Sequence, residues 1–266
     1  MGVSEGMGRL AGRIWSRAAL LACCLPGLAL AELNDTGIVR FGDKTSYELA
    51  SEPADHPGQD ARFGRDAAAM AGKLAKKGGG AKGFDFTKLD AEGQPMPADA
   101  KNWACVRDNV AGLVWEVKTA DGGLRDGRNH YTWYNPDPAA NGGFPGVEDG
   151  VDCKGGIKCN THAYTQAVNA TRLCGYSDWR VPERRELRSL VDYSKAGSYR
   201  PTIDEDFFPN TPPKWHWSSS PIALDREYAW GVSFYDGGDG VNVKRRQEDR
   251  FSHVRLVRGA AAKTGD

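Results

Sequence analysis

Apolar and polar positions alternate in several short stretches in the second half of the chain, which indicates β-strands. Strands are predicted over residues 111–119, 215–217, 229–235, 240–245 and 253–258. The sequence Asp236-Gly237-Gly238-Asp239 joins two of these strands, and it is typical of a hairpin turn.

Apolar side chains recur at helical spacing in two stretches between these strands. One helix is predicted to begin at Asn160 or Thr161, either of which can cap it, and to stop at Cys174-Gly175. The other is predicted to begin at Pro182 and to carry its leucines on one face. A strand and a long Gly-rich loop precede the helices and an antiparallel sheet follows them, so the order of elements predicts an α+β fold.

The composition of the N-terminus places the first segment boundary between residues 31 and 32. Residues 1–31 contain three arginines, then an apolar stretch, and end in a small-x-small sequence, so they are predicted to be an export signal that is cleaved after Ala31. A lipid anchor at Cys23 is the alternative, but the apolar stretch before that cysteine is short for a lipoprotein signal.

The remaining boundaries follow a change in tryptophan content. Residues 32–101 contain no tryptophan and are partly rich in Ala, Gly and Lys, which predicts an N-terminal extension with one short helix over 66–77. Seven of the eight tryptophans fall within residues 102–258, which are therefore predicted to form the core domain. Residues 259–266 are a tail.

The balance of charge excludes one class of function. The chain has 35 basic and 35 acidic side chains, and removal of residues 1–31 leaves 32 basic and 34 acidic ones. A nucleic-acid-binding protein normally carries a basic excess, so nucleic acid is not an expected partner. No later stretch approaches the roughly 18 apolar residues of a membrane-spanning helix. The mature protein is expected to be periplasmic or extracellular.

Four cysteines follow residue 31, an even number that suits an oxidising compartment. Cys153 and Cys159 flank a flexible Lys-Gly-Gly-Ile-Lys loop that can bring their Cα atoms to disulfide distance, and this pairing leaves Cys105 for Cys174. Zinc binding is the alternative, but the chain has no Cys-x-x-Cys and no histidine at ligand spacing.

One run of residues is specific to a known family. Residues 169–182 read NATRLCGYSDWRVP, and Arg-Glu-Leu follows at 185–187. Together with Asp-Asn at 108–109, Gly-Leu-Val-Trp at 112–115 and the closing Val-Arg-Leu-Val-Arg at 254–258, this run resembles the Lcl C-terminal domain family. The family is named for the C-terminal part of a bacterial collagen-like adhesin, and the resemblance covers residues 102–258.

The resemblance implies a C-type-lectin-like fold, which is distantly similar to that of formylglycine-generating enzymes. It also implies binding to a host surface or a glycan, with sulfated polysaccharides as the ligand class. The chain lacks Gly-X-Y repeats, so trimerisation is not carried over, and it lacks the Glu-Pro-Asn, Gln-Pro-Asp and Trp-Asn-Asp motifs of many C-type lectins. The last strand has no cysteine to pair with the first helix as in C-type lectins, which favours pairing Cys174 with Cys105.

Two groups of charged residues are candidates for ligand binding. Guanidinium and ammonium groups can bind sulfate, and the densest basic cluster comprises Lys244, Arg245, Arg246 and Arg250. The alternative is a solvated strand end that neighbouring acidic side chains neutralise. Asp236 and Asp239 can supply carboxylate oxygens to calcium, although a hairpin turn requires the same residues.

Aromatic rings form a third group of candidates, because their flat faces can stack on sugars. Trp133, Tyr134 and Trp217 are the candidates, and the first two lie in the long polar loop and are expected to be exposed. Trp230 alternates with Val232 and is expected to belong to the core.

The family-specific Asp178-Trp179-Arg180 is interpreted as structural, with Trp179 in the core and the two charged residues paired with the backbone or with each other. The five histidines are scattered and the bridged cysteines leave no thiol, so no nucleophile with its base stands out. We therefore expect a non-enzymatic protein without a cofactor, calcium being the one alternative, that binds a glycan or a cell-envelope partner. A structural protein-interaction module of the envelope is the second expectation, and a formylglycine-generating-enzyme-like activity is the third.

Overall fold

The computed structural model describes residues 1–2, 34–150, 153–154, 156–245 and 252–259, and all of these except residues 1–2 belong to a compact unit that begins at residue 31. The predicted cleavage site at Ala31, the alternative anchor at Cys23 and all of the predicted tail except Gly259 lie outside the described residues.

Three α-helices and seven strands are present in the described residues, which confirms the predicted α+β class. The helices are α1 (Gly64–Met70), α2 (Thr161–Ala170) and α3 (Arg184–Arg188). The strands are β1 (Phe86–Leu89), β2 (Cys105–Asp108), β3 (Val114–Glu116), β4 (Trp215–Pro221), β5 (Tyr228–Ser233), β6 (Asp239–Val243) and β7 (Val257–Arg258).

The strands form two antiparallel sheets. The first sheet has the order β1-β2-β3-β7, and the second has the order β4-β5-β6. In the first sheet Cys105 lies opposite Glu116, and Trp115 lies opposite Val257. The predicted hairpin is the β5-β6 pair, in which each residue from Tyr228 to Val232 has a partner on β6.

Helix α2 begins where the sequence predicts and ends earlier. Asn160 is its N-cap, and the side-chain Oδ1 accepts a hydrogen bond from the backbone N–H of Ala163 at 2.8 Å. The helix ends at Ala170 rather than at Cys174. Arg172 and Cys174 have φ angles of 53° and 51°, and this left-handed conformation cannot continue a right-handed helix.

The other two helices are shorter than predicted. Helix α3 begins at Arg184 and not at Pro182, because Glu183 is its N-cap and forms a capping box with Glu186. Helix α1 covers Gly64–Met70 instead of residues 66–77, since the chain leaves the helix near Gly72, which has a φ of 66°.

The final segment, predicted as one strand over 253–258, contacts both sheets. The backbone of His253 donates to the carbonyl of Trp215 and accepts from the N–H of Trp217, both at the start of β4. Only Val257 and Arg258 pair with β3. Residues 252–257 are all buried, so this segment joins the cores of the two sheets.

One strand comes from the predicted N-terminal extension. β1 pairs along its whole length with β2, and Phe84 and Phe86 are buried in the core beside it. Lys88 makes this strand hard to recognise in the sequence, because its charge suggests an exposed position. Its side chain is buried instead: Nζ donates to the carbonyl of Ala100 at 2.9 Å and lies 3.6 Å from the centre of the Trp103 ring.

Both predicted disulfides are present. Cys105–Cys174 joins β2 to the turn that follows α2, and both of its cysteines are buried. Cys153–Cys159 closes a short loop directly in front of α2. The two bridges therefore hold both ends of the same helix.

A cluster of charged side chains is buried between β3, α2 and the final segment. Oε1 of Glu116 accepts hydrogen bonds from the Lys118 ammonium at 3.0 Å and from the Tyr164 hydroxyl, and Oε2 accepts from the N–H of Leu256 at 2.9 Å. Arg255 donates to the backbone carbonyl of Glu116 at 2.5 Å. Burial lowers the pKa of Lys118 to about 8. One carboxylate thus compensates two buried cations.

Two buried histidines make the fold sensitive to acid. Nδ1 of His253 donates to the carbonyl of Asn129 at 3.0 Å, and its ring lies 5.3 Å from that of His216. Burial lowers the pKa of His253 to about 3 and that of His216 well below its ordinary value. Both imidazoles therefore stay neutral in the folded protein, whereas the unfolded chain takes up protons below about pH 6.5.

We expect His253 to lower the free energy of unfolding as the pH falls from about 6.5 towards 3, by about 2 kcal/mol at pH 5. In His253→Asn, whose amide can still donate to Asn129, the loss of stability between pH 7 and pH 5 should be smaller than in the wild type by that amount. Urea unfolding at the two pH values measures it. His162→Asn, which changes a half-exposed imidazole, is the control. Equal losses in wild type and His253→Asn would contradict the prediction.

Candidate functional site

An open recess of about 300 Å³ lies where the loop before α2, the first turns of α2, the link into α3 and strand β4 meet. This volume is at the lower end of the range for small-molecule sites. The recess is named the Tyr134 recess here, and its walls include Tyr134, Asn135, His162, Arg180, Glu183 and Ser219.

Helix α2 and the core hold Tyr134 in this recess. The Thr161 hydroxyl accepts from the backbone N–H of Tyr134 at 3.0 Å and donates to its carbonyl at 2.8 Å. The preceding Trp133 is buried, and its indole N–H donates to the carbonyl of Ser218 at 2.9 Å. The Tyr134 ring remains half-buried and meets the His162 ring edge to face, with centroids 6.1 Å apart. The ring is therefore both accessible and fixed.

The charged side chains of the recess are bound to one another. The two terminal nitrogens of Arg180 donate to the two carboxylate oxygens of Glu186 at 2.7 and 2.6 Å, and one also donates to the carbonyl of Gly259 at 3.2 Å. The hydrogen bonds that Arg180 donates to Glu186 are the main cause that raises the pKa of Arg180. The carboxylate of Glu183 accepts from the backbone N–H of Glu186 in the capping box. The charged groups of the recess therefore fix the segment between Arg180 and the start of α3 to that helix.

Other polar groups of the recess remain available to a ligand. Within the described residues, the hydroxyls of Tyr134 and Ser219 and the imidazole of His162 have no hydrogen-bond partner. Hydroxyls and a neutral imidazole can each donate and accept hydrogen bonds. Together with the tyrosine ring, they can contact a small polar molecule that also has an apolar face.

The predicted basic cluster does not form a free surface. Lys244 is fully buried: Nζ donates to the carbonyls of Asn141 and Phe144 at 2.6 and 3.0 Å and lies 4.3 Å from the centre of the Trp133 ring. The expectation that Lys244 contacts a ligand is therefore wrong, because backbone carbonyls and an aromatic face already bind its charge. Burial also lowers its pKa.

The next member of that cluster, Arg245, is paired with an acidic side chain. Arg245 is exposed, and its guanidinium binds the carboxylate of Glu227 through two hydrogen bonds of 2.8 and 3.2 Å. Arg246 and Arg250 lie outside the described residues.

Two of the three aromatic candidates are buried. Trp133 and Trp217 have only 1% and 2% of their surface exposed, and the indole N–H of Trp217 donates to the carbonyl of Tyr131 at 2.8 Å. They are large core residues whose polar N–H groups are satisfied by the backbone, so neither offers a face to a sugar. Trp230, expected in the core, is half-buried, with the Arg184 guanidinium 4.1 Å from its ring centre.

The predicted calcium candidates act in the turn and in ion pairs. Oδ1 of Asp236 accepts from the N–H of Gly238 at 3.0 Å, as the turn requires. Asp239 faces two arginines, with its carboxylate 3.3 Å from Arg184 and 3.9 Å from Arg188. In the part of the chain that the structure describes, no group of three acidic, histidine or cysteine side chains has a geometry suited to a metal.

The family-specific residues have structural contacts, although the partners differ from those expected. Trp179 is buried and its indole N–H donates to the carbonyl of Leu173 at 3.1 Å. Asp178 pairs with Arg258 on β7 at 2.9 Å rather than with Arg180. This segment thereby connects the end of α2 to the first sheet and places Arg180 beside the recess.

A second and larger groove, of about 1110 Å³, lies between the N-terminal segment and the turn after α3. Ile38, Val39, Phe41, Tyr47 and Tyr193 supply apolar and aromatic walls. Charges of both signs surround them, which include Lys44, Glu48 and Lys82. Sequence patterns did not indicate this groove, because no local motif links residues 38–60 with 193–196.

These features define a disulfide-bonded α+β domain with a shallow, aromatic and polar recess at the start of its longest described helix. The model of the Lcl C-terminal domain matches residues 104–258, which is more than half of the chain, and the chain belongs to that family. No curated protein and no solved structure was found to match it. Among the helices described, none has the length and apolar character needed to cross a bilayer.

Proposed function

We propose that this chain is an exported, non-enzymatic binding protein with a C-type-lectin-like domain that recognises a saccharide in the Tyr134 recess. One observation carries the proposal: the recess places an accessible tyrosine ring beside unpaired hydroxyls and an imidazole. A sugar ring offers the complementary groups, because its C–H face packs on an aromatic ring and its hydroxyls both donate and accept. Membership of a family named for an adhesin domain and the two disulfides support a role outside the cytoplasm.

The same geometry favours binding over catalysis. Arg180 and Glu183, the charged residues of the recess, are engaged in the ion pair and the capping box that hold α3. Formylglycine-generating chemistry depends on reactive cysteines, and the four cysteines after the predicted signal are paired in disulfides.

We expect Tyr134→Ala to raise the Kd for a retained saccharide about fivefold, because loss of one aromatic contact of this kind costs on the order of 1 kcal/mol. A glycan array identifies the retained saccharide, and titration calorimetry then measures the two dissociation constants. Tyr199→Ala removes a tyrosine that is 84% exposed and does not line the recess, so it should leave the Kd unchanged. Equal affinity of Tyr134→Ala and wild type would place the saccharide elsewhere, and failure to retain any glycan would refute the proposed function.

A protein-contact module of the envelope is the second candidate, and the larger groove favours it. Its volume of about 1110 Å³ and its mixture of apolar, basic and acidic walls suit a polypeptide better than a single sugar. A protein that retains no glycan but forms a stable complex lost on Phe41→Ala would support this candidate.

A further inference from the structure

We infer that the saccharide bound in the Tyr134 recess is uncharged, in contrast to the sulfated ligand class that the family resemblance implies. The inference rests on the proposed function and adds the ligand class to it.

The one guanidinium of the recess is already saturated by a carboxylate. Arg180 binds both oxygens of Glu186, whose side chain is only 4% exposed, and a bidentate pair of this kind is among the strongest polar contacts in proteins. A sulfate that approached Arg180 would have to displace Glu186. That displacement would leave a buried carboxylate without its partner, which is costly.

The free charge at the rim has the wrong sign for a sulfate. Glu186 does not line the recess, but its carboxylate neutralises the guanidinium of Arg180. The exposed carboxylate of Glu183 therefore remains as the one acidic charge of the lining without a cation beside it. The carboxylate of Glu183 would therefore repel an anionic ligand at short range, whereas it would not repel an uncharged one.

Two arginines directly follow Glu183, and neither lines the recess: Arg184 lies 3.3 Å from the carboxylate of Asp239, and Arg185 is exposed. The other neighbouring cations in the described residues are bound within the fold. Lys244 lies behind Trp133, where two backbone carbonyls bind its ammonium. Arg258 is paired with Asp178, and Arg245 is paired with Glu227. Each of these cations has a partner within the fold.

The groups that remain free are those that recognise sugar hydroxyls. The hydroxyls of Tyr134 and Ser219 and the imidazole of His162 lie on three different segments, and all of them border the same recess. Such groups bind uncharged ligands through directional hydrogen bonds, and a site built from them discriminates strongly against a ligand that leaves them unpaired.

The test compares uncharged oligosaccharides with their sulfated counterparts on one array and then by calorimetry, with full-length processed protein. Dextran with dextran sulfate and chemically desulfated carrageenan oligosaccharides with their sulfated parents are suitable pairs. We expect retention of an uncharged member, at least tenfold weaker binding of its sulfated counterpart, and a Kd that changes less than twofold between 50 and 500 mM NaCl.

Two variants distinguish the electrostatic argument from a merely steric one. Glu183→Gln keeps an oxygen for the capping box but removes the charge, so it should strengthen binding of the sulfated member more than binding of the uncharged one and reduce the ratio of the two dissociation constants. Glu205→Gln removes an exposed carboxylate that pairs with Arg200 outside the recess, and it should change neither affinity. Binding of sulfated members only, with a steep dependence on salt, would overturn the inference and leave the protein a glycan binder. Retention of no member would overturn the proposed function as well.

Discussion

Glu116→Gln is expected to lower the free energy of unfolding by about 3–5 kcal/mol, which is the largest effect we expect from a single substitution. Glu116 is fully buried, and its carboxylate compensates the ammonium of Lys118 and the nearby guanidinium of Arg255. The glutamine has the same shape and keeps some hydrogen bonds, so the loss reports mainly on two buried cations without their counter-charge. Urea unfolding at pH 7, followed by tryptophan fluorescence, measures the change.

Two further variants separate this effect from loss of a hydrogen bond. Glu116→Gln combined with Lys118→Met should be more stable than Glu116→Gln alone, because the second substitution removes one of the uncompensated cations. Glu148→Gln breaks an exposed pair with Lys158 and should leave stability unchanged. A loss below about 1 kcal/mol in Glu116→Gln would show that water or a neighbouring group already stabilises the two cations.

Removal of Cys105–Cys174 is expected to cost about 4 kcal/mol, and removal of Cys153–Cys159 about 2 kcal/mol. The first bridge joins residues separated by 69 positions and the second joins residues separated by 6, so the first restricts the unfolded chain far more. The double variants Cys105→Ala with Cys174→Ala and Cys153→Ala with Cys159→Ala, compared by urea unfolding, measure the two losses. Equal losses would mean that native-state packing, rather than the unfolded chain, determines the contribution of each bridge.

Local signals in the sequence predicted the elements that depend on local chemistry. Asn160 caps α2, and the Gly-rich turn joins β5 to β6, because capping and hairpin turns are decided by a few neighbouring residues. The pairing of Cys153 with Cys159 was also predictable from the flexible loop between them. The family assignment rests on a contiguous run and was confirmed by the match over residues 104–258.

The burial of polar or loop residues through long-range packing could not be predicted from the sequence. Lys88 and Lys244 are both buried, each with its ammonium on backbone carbonyls and beside a tryptophan ring, and their charge alone indicated a surface position. Trp133 lies in a polar loop, yet its indole N–H reaches Ser218 across 85 residues of sequence.

The recess could be predicted only in part for the same reason. Tyr134 was a candidate from its loop position, but His162, Arg180 and Ser219 carry no shared motif, since they lie on three separate segments that meet only in the folded chain. The signal that could have indicated them is indirect: His162 follows a predicted N-cap, and Arg180 belongs to the family-specific run.

Strand β1 belongs to the first sheet but not to the part of the chain by which the family is recognised. It lies before the residues that the family model matches, and it covers one side of β2 through Phe86–Leu89. A fragment limited to residues 104–258 would leave the N–H and C=O groups of Cys105–Asp108 open at the border of the sheet, where they can pair with any other extended chain. In this protein the domain recognised by sequence is therefore smaller than the sheet to which it belongs, and we expect the isolated fragment to associate with itself through the uncovered edge of β2.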